Sequence, residues 1–343
     1  MKLRPLSVLA GLALASTALV AVPAPAQAAA VTAATNYASR TVNETGPATC
    51  NSANTSSNSS APFTSNGVAV TQSVSGTTTL VDTGDASDTS SIATSASSKV
   101  RATEAGGSMR TLDVDAAFAA TFTIDQGAAT DCDAQAQLGA QIQLTGVLAQ
   151  PKWVTIDGEV PKGGTMQVIF QRTAPVTPQV FEVVALLGNS KGRAHAEVYL
   201  PAGTYTVTTF TVAAWDGPQV AGDPTSFSAK PFMHILFEPV GVAKDKATGT
   251  GTKYLKLKNG RNCATNQLQG KFKSAAGVAA TAKIKKAIFK VNGAKSKVVN
   301  LPEKNDKVTL TNLPSADDIT VSVTLKLFGG GSAKLTRDYR SCT

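Results

Sequence analysis

The fold class follows from residues 319–327, which read Ile-Thr-Val-Ser-Val-Thr-Leu-Lys-Leu. Apolar and polar residues alternate there without a break. Alternate side chains of a β-strand point to opposite faces, so this pattern predicts a strand with one buried face. The same period of two runs through residues 116–124 and 132–144, which places Cys132 on the buried face.

The rest of the chain has segments of strand length separated by Gly, Pro, Asn and Ser, and no convincing period of 3.6 residues follows the N-terminal segment. Asn292-Gly293 stands between two such segments and predicts a type I′ hairpin, because both residues tolerate positive φ. We therefore predict an all-β protein made of two tandem antiparallel β-sandwich domains after a cleaved signal peptide.

The N-terminus has the three parts of a secretory signal peptide. Met1-Lys2-Leu3-Arg4 is basic, residues 6–22 are apolar, and Ala26-Gln27-Ala28 is a cleavage site. We expect residues 1–28 to be removed and the mature protein to be secreted, either extracellular or loosely associated with the cell wall. An N-terminal membrane anchor is the alternative. No later segment approaches the length of a transmembrane helix.

If the chain is exported, the four cysteines are expected to form disulfides. Sequential pairing gives Cys50–Cys132 and Cys263–Cys342, one bridge in each half, although four cysteines allow three connectivities. Each bridge closes a loop of about 80 residues and contributes about 4 kcal/mol.

Composition divides the mature chain into four parts. We expect residues 29–66, rich in Ser, Thr and Asn, to be a flexible segment. Residues 67–241 are expected to form a jelly-roll-like β-sandwich, and residues 242–252 a polar linker. Residues 253–343 are expected to form a small, basic, immunoglobulin-like sandwich.

The C-terminal quarter resembles the immunoglobulin-like modules that end many secreted actinobacterial proteins. The resemblance rests on Lys-Ile-Lys-Lys-Ala-Ile-Phe-Lys-Val-Asn-Gly at 283–293, Leu-Thr-Asn-Leu-Pro at 310–314 and Leu-Thr-Arg-Asp-Tyr-Arg-Ser-Cys at 335–342. It implies a location and a fold, and it carries no catalytic residues. Leu-Pro-Ala-Gly-Thr-Tyr-Thr-Val at 200–207 resembles a strand of extracellular carbohydrate-binding and pre-peptidase C-terminal sandwiches.

Charge is distributed unevenly along the chain. The whole sequence of 343 residues has a net charge of +9, but residues 244–343 hold 17 Lys and 3 Arg against six acidic residues, a net charge of +14. The rest is mildly acidic. This basic segment suggests attraction to an anionic polymer such as wall teichoic acid, an acidic polysaccharide or phospholipid headgroups. A solvated, lysine-rich sheet face is the alternative.

Nucleic acid is not expected as a partner, because Lys predominates over Arg and no recognition motif is present. The basic residues that we single out as possible ligand contacts are Lys256, Lys258, Lys271, Lys273, Lys285 and Lys290. Trp153 and Trp215 are the candidates for stacking on a sugar, with core packing as the alternative.

Few residues offer catalytic or metal chemistry. Two histidines and four cysteines leave almost no ligands for multi-histidine or iron–sulfur centres. Gly188-Asn189-Ser190-Lys191-Gly192 matches a nucleophile elbow, but residues 193–200 alternate like a strand where an elbow needs a helix, so we predict a hairpin turn. Asp82, Asp85 and Asp88 offer oxygen ligands to a structural calcium, with a solvated turn as the default.

We therefore expect a secreted, non-enzymatic β-sandwich protein without a cofactor, structural or ligand-binding at the bacterial cell surface. The first alternative is a carbohydrate-binding protein that uses aromatic residues of the first domain. The second alternative is an extracellular hydrolase, since paired carboxylates can hydrolyse glycosides without histidine.

Overall fold

The computed structural model describes residues 31–44, 50–51, 55–87, 89–126, 134–174, 180–188, 191–217, 225–273 and 283–343. The expected signal peptide, Asp88 and Cys132 lie outside these ranges. Cys50 is described by its backbone alone, so the expected Cys50–Cys132 bridge also lies outside the described residues.

The described residues form antiparallel strands, and their one helical turn is the 3-10 turn η1 at Thr250–Lys253. In the N-terminal part the strands are β1 Val31–Glu44, β2 Cys50–Asn51, β3 Thr55–Pro62, β4 Val70–Asp82, β5 Thr89–Ala105, β6 Ser108–Gln126, β7 Ala134–Leu148, β8 Lys152–Glu159, β9 Gly164–Ala174, β10 Val180–Leu186, β11 Arg193–Leu200, β12 Gly203–Asp216, β13 Ser226–Ala229 and β14 Phe232–Pro239. In the C-terminal part they are β15 Leu255–Leu257, β16 Leu268–Phe272, β17 Ile284–Val291, β18 Ala294–Asn300, β19 Lys307–Leu310, β20 Ile319–Leu327 and β21 Ser332–Tyr339. The all-β class is confirmed.

Two sheets form the N-terminal sheet pair. The six-stranded sheet has the order β10-β9-β12-β7-β1-β3, and the larger sheet has the order β11-β8-β14-β6-β5-β4-β2, with β13 paired to β6. Their facing sides share one buried cluster, in which Ile142 and Phe170 of the first sheet meet Ile156 and Ile235 of the second. Period-two alternation therefore places one face of each sheet in a common core.

Residues 29–66 were expected to be flexible, but strands β1 and β3 lie in this segment. Strand β1 pairs with both β7 and β3, so its backbone is hydrogen-bonded on both sides. Its core-facing positions include polar residues with polar partners: the side-chain amide of Asn36 donates to the carbonyl oxygens of Val70 and Ser98 at 3.0 and 2.9 Å. Buried polar residues hide the alternation that would have identified the strand.

The C-terminal sheet pair consists of a three-stranded sheet, β15-β16-β19, and a four-stranded sheet, β18-β17-β20-β21. Phe272, Phe289, Val323 and Tyr339 lie in the buried cluster between them. The predicted hairpin is confirmed, because β17 pairs with β18 and Asn292 and Gly293 have φ of 47° and 82°.

The predicted bridge between Cys263 and Cys342 is present, with a Cα–Cα distance of 5.5 Å. It joins the loop between β15 and β16 to the residues that follow β21. The C-terminal end of the chain is thereby held against the three-stranded sheet.

Residues 242–252, expected to be a polar linker, connect the two sheet pairs and also hydrogen-bond to the last strand. The amide of Thr248 donates to the carbonyl oxygen of Thr336 at 2.9 Å, and the reverse bond is 3.1 Å. The amide of Lys244 donates to the carbonyl oxygen of Asp338 at 3.0 Å. Backbone groups need no apolar side chains to pair in this way, so composition alone does not reveal the contact.

The expectation of a hairpin at residues 188–192 is wrong. Strand β10 belongs to the six-stranded sheet and β11 to the larger one, so the chain passes from one sheet to the other there. A strand follows the turn, as predicted. No helix in the described part of the chain is long and apolar enough to span a membrane.

Candidate anion-binding site

Three lysines form a row across the three-stranded sheet. Lys256 of β15 lies directly opposite Lys271 of β16, and Lys271 lies directly opposite Lys307 of β19. The neighbouring residues Leu255, Leu257, Gly270, Phe272 and Val308 are buried, so all three lysine side chains point outward and are exposed. Adjacent strands are about 4.8 Å apart, so the three backbone positions span about 10 Å.

Two further lysines flank this row, one on each side. Lys258 follows Lys256 by two residues and Lys273 follows Lys271 by two, and both are exposed. The Nζ atom of Lys273 donates a hydrogen bond to the carbonyl oxygen of Thr252 at 2.7 Å. Together these residues form the lysine face, which consists of Lys256, Lys258, Lys271, Lys273 and Lys307.

Among the described residues, none of these five lysines forms an ion pair with a carboxylate. Like charges directly opposite one another destabilise a sheet. A bound row of negative charges would relieve this repulsion, so the lysine face can release energy on binding an anionic polymer.

Four of these five residues were predicted from the sequence, and Lys307 was not. The signal for Lys307 was present, because Lys307 and Thr309 alternate with the buried Val308 and Leu310. The other two predicted lysines, Lys285 and Lys290, lie on β17 in the opposite sheet. The structure therefore brings together Lys256, Lys258, Lys271 and Lys273 but leaves Lys285 and Lys290 apart from them.

A cleft of about 460 Å³ borders the lysine face. Lys258 and Gln269 of the C-terminal sheet pair line it together with Pro239 and Val240, which end the N-terminal sheet pair. Arg261 also lines the cleft, but its guanidinium donates to the carbonyl oxygens of Pro314, Asp317 and Arg340, so its role is structural. The cleft lies at the junction between the sheet pairs, and Lys258 is the member of the lysine face that lines it.

Arg340 joins the two sheet pairs. Its Nη1 lies 2.9 Å from Oε2 of Glu197, its Nε 3.1 Å from Oε2 of Glu238, and its Nη2 donates to Oγ1 of Thr155 at 2.8 Å. The Arg340 side chain is only 6% exposed. Charge-assisted hydrogen bonds of this kind are stronger than neutral ones, so Arg340 fixes the C-terminal sheet pair relative to the N-terminal sheets.

Trp153 takes part in the same junction. Its Nε1 donates to the carbonyl oxygen and the hydroxyl of Ser341 at 3.3 and 3.2 Å, and the Arg340 guanidinium lies 5.7 Å from its ring centre. Trp215 lies on the other sheet and packs against the buried cluster of Ile92 and Phe122. The two tryptophans therefore do not form one sugar-stacking platform.

The electrostatics of the junction keep its carboxylates ionised. The hydrogen bond from Arg340 holds the pKa of Glu197 below its ordinary value. At Asp318, burial acts to raise the pKa, but the hydrogen bonds from the Lys244 ammonium and the Ser341 amide outweigh it and lower the pKa overall. Both acids thus contribute fixed negative charge to the junction at neutral pH.

The described carboxylates of the candidate calcium loop accept hydrogen bonds within the loop. Oδ1 of Asp82 accepts from the Gly84 amide at 2.7 Å, and Oδ1 of Asp85 accepts from the Ser87 amide at 3.0 Å and the Ser87 hydroxyl at 2.6 Å. No group of three His, Cys, Asp or Glu side chains in the described ranges is arranged to hold a metal ion.

Comparison with known proteins adds no family to these observations. No protein-family model matches the chain, and no curated protein matches it.

Proposed function

We propose that this protein is an exported, non-enzymatic β-sandwich protein that binds an anionic polymer of the bacterial cell surface through its lysine face. The observation that carries the proposal is the row of Lys256, Lys271 and Lys307, directly opposed on three adjacent strands. The resemblance of the C-terminal quarter to modules of secreted proteins and the signal peptide expected at residues 1–28 support the location.

An anionic polymer fits this face better than a single small anion. The three lysines lie on three neighbouring strands, so their charges form a line and not a cluster around one point. Lysine is a flexible point charge, suited to repeated phosphate or carboxylate groups without a fixed orientation. Because the side chains are exposed, binding is expected to weaken as salt screens the charges.

The test is retention of the mature protein on purified cell walls across a salt series. We expect retention at low salt, release at high salt, and loss of retention from walls chemically stripped of their anionic polymers. Equal retention on stripped walls, or no retention at low salt, would contradict the proposal.

A further inference from the structure

The middle of the outer face of the six-stranded sheet is an uncharged surface of amides, hydroxyls, apolar side chains and two aromatic rings. One row of directly opposed residues crosses all six strands. From β3 to β10 it consists of Ser60, Tyr37, Gln141, Phe210, Gln167 and Ala185. The two rings thus flank a glutamine, and a second glutamine follows. Tyr37 and Phe210 are both partly exposed. They lie two strand spacings apart, about 10 Å.

The neighbouring rows are also free of charge. The described outward-facing residues at these rows are Thr35, Ser39 and Thr41 on β1, Ser56, Asn58 and Pro62 on β3, Gln137, Gly139 and Gln143 on β7, Thr208, Val212 and Ala214 on β12, Thr165 and Ile169 on β9, and Val183 on β10. None of them is ionisable at neutral pH. A charged ligand would find no counter-charge among these side chains.

Four glutamine amides on this face are available to a ligand. Within the described part of the chain, the side chains of Gln137, Gln141, Gln143 and Gln167 form no hydrogen bond with another residue. Each amide offers two donors and an acceptor, which match hydroxyl groups that both donate and accept. Gln135, by contrast, donates to Oδ1 of Asp216 at 2.8 Å.

Gly139 lies in the middle of the face and is buried. It lies between Gln137 and Gln141 on β7, and its neighbours across the strands are the short residues Ser39 and Val212. A Cβ at Gly139 would lie 2.6 Å from Oγ of Ser39, so even a methyl group would crowd this row. Gln137 and Gln141 are four residues apart, about 13 Å along the strand, so Gln137 lies two rows away from the row of Tyr37, Gln141 and Phe210.

We propose that this face binds a neutral polysaccharide, lying across the strands with sugar rings against Tyr37 and Phe210 and hydroxyls bonded to Gln141 and Gln167. Aromatic rings are broad and apolar and complement the apolar faces of sugars, while the amides satisfy the hydroxyls. Unlike the proposed function, this site uses a different sheet and requires no charge on the ligand. A protein partner is less suitable, because protein interface cores favour Arg, Met and aromatic residues over rows of Gln, Ser and Thr.

The experiment measures depletion of the mature protein from solution by cellulose, chitin, curdlan and starch. It is run at about 0.5 M NaCl, where screening over about 5 Å suppresses binding through the lysine face. We expect retention on at least one of these polymers, and the same retention in a variant with Lys256, Lys271 and Lys307 replaced by Glu. Absence of retention on all four would overturn the proposal without affecting the anionic-polymer proposal.

Variants locate the binding to this face. Y37A/F210A and Q141A/Q167A are each expected to weaken retention at least about tenfold, since each removes two contacts. F210Y keeps the ring and should retain binding, as should F328A, which removes an exposed aromatic residue of the C-terminal sheets. Equal binding by all variants would contradict the assignment. Self-association of the protein in sedimentation experiments would also contradict it, if Y37A/F210A abolishes both the self-association and the retention.

Discussion

Arg340 and Glu197 form an ion pair across the junction of the two sheet pairs, with 2.9 Å between Nη1 and Oε2. They are far apart in the sequence, and Arg340 follows the last strand directly. Glu238 and Thr155 accept its remaining hydrogen bonds. The C-terminal residues therefore hold the C-terminal sheet pair against the N-terminal sheets.

Removing the Arg340 side chain is expected to loosen this junction. Arg340→Ala leaves Glu197 and Glu238 partly buried without their cation, and breaking such a pair costs about 3 kcal/mol. Denaturant unfolding measures the change, and small-angle scattering should show a more extended molecule. The conservative Arg340→Lys keeps the charge but not the three bonds, so an intermediate loss is expected. A loss below about 1 kcal/mol in Arg340→Ala would show that the junction does not depend on this residue.

The Glu197 carboxyl makes this stability depend on pH. Its pKa is lower in the folded protein than its ordinary value of 4.5, mainly because Arg340 hydrogen-bonds the carboxylate. Its contribution is therefore fully present above about pH 4.5 and is lost as the pH falls through the lowered value. The difference in unfolding free energy between wild type and Glu197→Gln should be large at pH 7 and shrink toward pH 3. A difference that does not change between these pH values would exclude the pair as its source.

The Cys263–Cys342 bridge is expected to stabilise the C-terminal sheet pair. The two cysteines are separated by 79 residues, a loop whose closure contributes about 4 kcal/mol. C263A/C342A is the appropriate variant, because a reductant would also act on the other cysteines. Denaturant unfolding of this variant under oxidising conditions should show that loss. Unchanged stability would mean that the neighbouring contacts of Arg340 and Arg261 suffice.

The turn between β17 and β18 requires glycine at one position. Gly293 has φ of 82°, and a Cβ there would touch nothing within 4 Å, so the strain of Gly293→Ala is confined to the backbone. We expect a loss of about 1 kcal/mol in unfolding free energy. Gly331→Ala is the matched control, because Gly331 also faces open space and does not have positive φ. Equal effects of the two changes would contradict this explanation.

The strands with strict alternation were predictable from sequence. Residues 319–327 form β20 at the predicted bounds, with Ile319, Val321, Val323 and Leu325 buried. Strand β1 was not predictable in this way, because Asn36 and Arg40 occupy core-facing positions. Arg40 is tolerated there because its guanidinium bonds the hydroxyls of Ser57 and Thr94 and occupies the space left by Gly76.

The candidate sites were only partly predictable, for a related reason. Period two places Lys256 and Lys271 on an outer face, but strand register decides that they are opposite each other and Lys307. The row of Tyr37, Gln141 and Phe210 also depends on strand register, since its members come from three strands far apart in the chain. Composition revealed the charge of the C-terminal part but not its arrangement.

The most direct test of polymer binding by the lysine face compares two triple variants in their affinity for purified wall teichoic acid at low salt. K256A/K271A/K307A removes the row, and K286A/K290A/K326A removes the same charge from the opposite sheet, where Lys286 lies opposite Lys326. We expect at least about tenfold weaker binding of the polymer by the first variant, and an affinity within about twofold of wild type for the second. Equal loss in both variants would show that net charge alone, and not the lysine face, attracts the polymer.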